Sequence, residues 1–248
     1  MTSIQLSTSI TGPDDSKPRR ARGTILALAF FFPLASCASF GAFPHGDAAY
    51  PFPEHETYAT PAISEAQRLI AEGGPTLVGK KSLVVNGVTY PNDCTGVVRA
   101  AYAFADIDLA YRFTRYGGNG VRRLFMTLQD RGLLYAVRYP APADLIFWDN
   151  TYDADGDRIA DDELTHVGVV ISVNEDGSIY YLHYHYRNGP VIERMNLTRP
   201  DDESIADGQP ANSILRMRGS PPGPGSNAAQ LFRVFGKGYE LVKAGTGD

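Results

Sequence analysis

A chain of 248 residues has room for one domain of ordinary size with a real core, plus extensions. Its net charge of -5, with acids and bases interspersed, excludes a general nucleic-acid binder, which needs a basic face. Two cysteines make no disulfide framework, and no CxxC knuckle for a metal is present.

Residues 17–22, KPRRAR, are basic, and GTILALAFFFPLASCASF follows. A basic segment, a short apolar run and small residues before a cleavage point predict a secretory signal over 1–37. The apolar run is short for a bilayer span, which takes ~20 apolar residues. Its end, Leu34-Ala35-Ser36-Cys37, resembles a bacterial lipobox, which implies that Cys37 becomes the lipidated N-terminus. Residues 38–60, rich in Pro, Ala and Tyr, then read as a tether between membrane and domain, with His45 and His55 as solvated linker residues. Lipidation of Cys37 would leave Cys94 as a free thiol.

The folded domain is expected over 61–198. Ser64 can cap a helix carrying Ile63, Ala66, Leu69 and Ile70 that stops at Gly73-Gly74. Asn86-Gly87 sits inside SLVVNGVTY as a hairpin turn. PNDCTGVVRAAYAFA follows, with Asn92 or Asp93 placed to cap a helix whose first turn holds Cys94. Val97, Val98, Ala101 and Ala105 share a helical face with Cys94, so the cysteine can simply begin a buried stripe. The same position also suits a nucleophile, because backbone N–H groups at a helix start favour a thiolate.

A base would decide between these readings. GNGVRRLFMTLQDRGLLY, residues 118–135, predicts an amphipathic helix stopped by Gly132, with its arginines on a solvated face. LTHVGVVISV and IYYLHYHYRNGPVIERMNL read as the strands of a meander. His166 opens the first of them, where its side chain can face a helix N-terminus. Alternation puts Tyr181, His183 and His185 on one face, so either histidine can orient His166. Cysteine, histidine and a second polar group make up the minimal apparatus for thiol-based acyl transfer.

Four segments in order resemble the NlpC-type cell-wall cysteine peptidases, to which CHAP amidases are related. Asp93-Cys94-Thr95-Gly96 followed by two valines is similar to the D-C-S/T-G motif. Pro142-Ala143-Asp144-Leu145-Ile146-Phe147-Trp148 resembles P-G-D-L-hydrophobic-F, and Thr165-His166-Val167-Gly168-Val169-Val170 resembles the H-V-G strand. Tyr181-Leu182-His183 stands where that family carries its third catalytic residue. The resemblance covers roughly residues 61–195 and implies an α+β, papain-like fold with helices packed on an antiparallel sheet. It implies Cys94 as nucleophile, His166 as base and His183 as orienting residue, with His185 as the alternative. The Cys94 N–H would help hold the oxyanion. The implied substrate is the peptide of peptidoglycan, commonly at the bond from γ-D-glutamate to a diamino acid, cleaved through a thioester by a monomeric enzyme that needs no catalytic cofactor. The family's tyrosine- and glycine-rich stretch before the nucleophile is replaced by GKKSLVVNGVTYPN, in which Tyr90, with Asp93, is the candidate substrate contact.

Asp153, Asp155, Asp157, Asp161 and Asp162 form an acidic loop similar to the calcium loops of thrombospondin-type repeats. Carboxylates at alternate positions around a glycine can wrap a hard cation, so a structural calcium ion is expected there. Residues 199–248 read as an extension partly packed on the domain, with SILRMRG as a closing strand, SPPGPGSN as a turn or linker and AAQLFRVFGKGYELV packing back on the domain. A non-catalytic, calcium-binding envelope lipoprotein and an amidase or transpeptidase for another acyl group are the alternatives.

Overall fold

The computed structural model describes residues 50–202, 204, 208–223 and 225–241, so the expected signal segment and Cys37 lie outside the described residues. Among the described residues no helix is long and apolar enough to cross a membrane.

Ser64 starts helix α1 (Glu65–Gly73) through a reciprocal capping box with Gln67. Strands β1 (Leu83–Val85) and β2 (Val88–Tyr90) pair antiparallel across Asn86 and Gly87. Both turn residues have positive φ, 51° and 78°, as a tight hairpin of this hand requires. Helix α2 (Cys94–Ala103) follows at once, and helix α3 (Gly120–Gln129) begins on an Asn119 cap. The remaining strands are β3 (Leu134–Tyr135), β4 (Leu145–Trp148), β5 (His166–Val173), β6 (Ser178–His185), β7 (Gly189–Asn196) and β8 (Phe232–Gly236).

They form a six-stranded antiparallel sheet in the order β3-β8-β4-β5-β6-β7, so the fold is α+β. Helix α2 packs on β5 and β6, burying Val97, Val98 and Ala101 against Val167, Val169 and Leu182. The opposite face carries Ile146, Trp148, Val170, Tyr181 and Phe235, covered by Leu215, Ala228, Ala229 and Leu231. Two covered faces explain why β4 and β5 read as apolar runs without clean alternation.

Strand β8 lies in the segment expected to pack back on the domain. Residues 232–236 lie between β3 and β4, inside the sheet and not merely on its surface. SILRMRG, by contrast, forms no strand: Ile214 makes a single bridge to Asn227. The described part of the expected tether also lies against the domain. Phe52 stacks on Phe232 at 5.9 Å, and the Glu56 carboxylate accepts the N–H groups of Arg138 (2.7 Å) and Tyr139 (3.1 Å).

Candidate functional site

The site begins with the local chemistry of α2. The Asp93 carboxylate accepts the Gly96 N–H at 2.7 Å, which resolves the choice of cap in favour of Asp93. Gly96 is required by close approach, since a Cβ there would come within 1.8 Å of the Pro91 carbonyl oxygen. The chain before the helix folds tightly over its first turn and leaves Cys94 half-buried at the groove.

Strand β5 supplies the facing side. Gly168 lets the strand pass close to the Trp148 ring and the Leu182 carbonyl, each at 3.0 Å from a Cβ built there. The indole, in turn, is fixed by a 2.8 Å bond from its Nε1 to the Ala228 carbonyl. His166 leans on this indole at 5.7 Å between ring centres. Its Nε2 lies 2.9 Å from Nδ1 of His183, which is buried. His185 has a different role: its Nδ1 accepts the N–H groups of Arg187 and Asn188 in the turn after β6, each at 3.2 Å.

The groove joins Asn92, Asp93 and Cys94 to His166 and His183 and has a volume of about 260 Å³. Its outer lining is largely aromatic and apolar, with Tyr152, Tyr184 and Tyr186 beside Leu215 and Met217. The last two come from the segment between β7 and β8, a contribution the sequence reading did not foresee. Tyr90 is not among the lining residues; it packs on the core with the Arg99 guanidinium 5.6 Å over its ring. Asp93 lines the groove, but one of its carboxylate oxygens is engaged in the helix cap.

The electrostatics differ from the expectation of an ionised thiol. Burial pushes the Cys94 thiol up to about 11, and the neighbouring Asp93 charge adds to the rise. The Thr95 hydroxyl and the backbone at Val167 and Thr95 pull in the other direction without overcoming burial. Burial also holds His166 well below the usual imidazole range, reinforced by His183 and His185. The resting pair is therefore a neutral thiol beside a neutral imidazole.

A second acidic residue completes the cluster. Glu193 of β7 stands directly across from Tyr181 and diagonal to His183. Its Oε2 is 3.1 Å from His183 Nε2, off the line of an ideal hydrogen bond. The order Cys, His, His gave no sign of it, because Glu193 is reached only through strand pairing.

The acidic loop spans the connection from β4 to β5. Asp153, Asp155 and Asp162 each bring a carboxylate oxygen within 4.8 Å of the others, whereas Asp157 and Asp161 fall outside this group. Asp153 accepts the Gly156 N–H at 2.8 Å, and Asp157 accepts that of Ile159 at 2.7 Å, so these carboxylates build turns. The neck of the loop is closed by the protein itself. Asn150 N–H bonds the Asp162 carbonyl at 2.7 Å, Thr165 N–H bonds the Trp148 carbonyl at 3.0 Å, and Arg233 reaches Asp149 at 2.8 Å and Glu163 at 3.3 Å.

Compared with protein-family models, with curated proteins and with solved structures, the chain matches none.

Proposed function

We propose that this protein is a cell-envelope thiol hydrolase of the NlpC type, on a papain-like fold, that cleaves amide bonds in the stem peptides of peptidoglycan. The observation that carries the reading is one groove holding Cys94 at a helix start together with the 2.9 Å contact between His166 and His183. In this reading the chain acts as a monomer anchored by a lipid on Cys37.

Because His166 Nε2 is taken by His183, Nδ1 is the ring nitrogen left for the thiol. As Sγ attacks the substrate carbonyl, the S–H proton passes to His166 Nδ1 and the carbonyl becomes an oxyanion beside the Cys94 N–H. Collapse expels the amine, which takes the proton from His166, and leaves a thioester on Cys94. Water then attacks with His166 again as base, releasing the acid and restoring the thiol. A neutral resting pair suits this order of events, since the charge separation arises only with substrate in place.

Digestion of purified peptidoglycan by the wild type and by Cys94→Ala tests the proposal. New amine and carboxyl termini are expected with the wild type only, and their absence from both would overturn it. The neutral resting thiol favours one second reading, a binding lipoprotein on the same fold. In that case peptidoglycan pulls down the protein equally with or without Cys94 and is returned uncut.

A further inference from the structure

We propose that Glu193 is a positioning residue for the same site, setting the protonation pattern of both histidines from the far side of His183; this rests on the hydrolase reading above. A carboxylate accepts and does not donate, so a Glu193 oxygen 3.1 Å from His183 Nε2, although off the line of an ideal hydrogen bond, favours by its charge and proximity the tautomer with its proton on that nitrogen. Nδ1 of His183 is then bare and accepts. The ring nitrogen 2.9 Å away, His166 Nε2, must donate to it and so carries the proton of His166. His166 Nδ1 is left unprotonated, the form a base for Cys94 requires. One carboxylate on β7 thereby fixes the state of a ring two contacts away, and each link follows from the one before.

Three neighbours support the assignment. The Tyr181 phenol beside Glu193 is fully buried and held well above its usual range, first by burial and then by the Glu193 charge, so it stays neutral beside the carboxylate. Ser213 stands beside the same Tyr181 phenol, and its Oγ accepts the Arg194 N–H at 3.1 Å. Arg194, the adjacent cation, is turned away to the Pro210 carbonyl and does not neutralise Glu193. The carboxylate charge is therefore directed at His183, where it can offset the positive charge that develops on His166 when the thiol proton arrives.

Ring nitrogen shifts of His166 and His183 in the ¹⁵N-labelled full chain test the assignment without reference to activity. The wild type is expected to show His183 protonated on Nε2 and His166 protonated on Nε2. Glu193→Gln keeps an oxygen acceptor and should retain this pattern, while Glu193→Ala should release it and give mixed tautomers on both rings. Glu193→Gln, which preserves shape, serves as the folding control. In peptidoglycan cleavage, kcat should fall roughly ten- to hundredfold in Glu193→Ala with KM little changed, the range usual for loss of a partner that orients a histidine. Unchanged ring shifts in Glu193→Ala would overturn the proposal. Altered shifts in a protein whose wild type cuts no peptidoglycan would sustain it and defeat the hydrolase reading instead.

Discussion

The Pro91 carbonyl oxygen occupies the space in which a side chain on residue 96 would begin, 1.8 Å from the position of a Cβ. Gly96→Ala would ordinarily strengthen a helix by about 1 kcal/mol. Here the methyl must displace backbone that leads into the nucleophile, and a net loss of about 2 kcal/mol or more is expected. Urea unfolding measures it, and an unchanged midpoint would show that the Pro91 turn yields freely.

The thiol should be sluggish in the free protein. With Cys94 pushed up to about 11, from an ordinary 9.0, its thiolate fraction at neutral pH is roughly a hundredfold below that of a free cysteine. Iodoacetamide labelling is expected to be slow at pH 7 and to accelerate from pH 9 to 11. A plateau already reached by pH 8 would contradict the burial argument.

Asp144 gives the fold a pH dependence of its own. Burial raises its carboxyl from 3.8 to about 7, although the Tyr135 hydroxyl and the Ala141 N–H both donate to it. Because the folded state holds this proton more tightly than the unfolded state, its contribution is complete below about 4 and is lost as pH rises through about 7. Asp144→Asn mimics the protonated acid. Its melting temperature should decline less than that of the wild type between pH 5 and 8, and parallel curves would refute the assignment.

Leu215 and Met217 both line the groove, yet their substitution should have different effects. Leu215 is 9% exposed and belongs to the second core cluster, so Leu215→Ala should cost about 2 kcal/mol of stability. Met217 is half-buried and lies outside that cluster, so Met217→Ala should leave stability intact and raise KM several-fold with little change in kcat. Equal effects on kcat and kcat/KM would remove Met217 from the substrate wall.

The entry of β5 is held by Arg233, with Asp149 at 2.8 Å and Glu163 at 3.3 Å. Arg233→Gln leaves two partly buried carboxylates facing each other and should lower stability by roughly 2–3 kcal/mol. Since the loop neck is closed by protein contacts, the hydrolase proposed above is expected to cleave peptidoglycan equally well in EGTA. Loss of cleavage on chelation alone would make the acidic loop, and not Arg233, the support of His166.

The parts of the site that repeat along the chain were legible in the sequence. The Ser64 cap, the Asn86-Gly87 hairpin and the Asp93 start of α2 each depend on neighbours within a few residues. Gly96 and Gly168 stand in the motif segments, but the reason for a glycine at each emerges only from the Pro91 carbonyl and the Trp148 ring. What stayed hidden depends on partners distant in sequence. Phe232–Gly236 is short and follows a proline- and glycine-rich stretch, so nothing local marks it as an inner strand. Glu193 meets His183 only across the β6–β7 ladder, and Leu215 and Met217 reach the groove only because their segment crosses the sheet. Ala143 is a smaller case: it stands where the resembling family has glycine and adopts φ 69°, held by a 2.5 Å bond from the Tyr102 hydroxyl to its carbonyl.

The insertion of β8 between β3 and β4 also sets a timetable. Strand β4 carries Trp148, on which His166 rests, and one of its edges stays unpaired until residues 232–236 have left the ribosome. The sheet of a nascent chain thus stays open at β4 through most of its synthesis, and the surface on which His166 rests matures last.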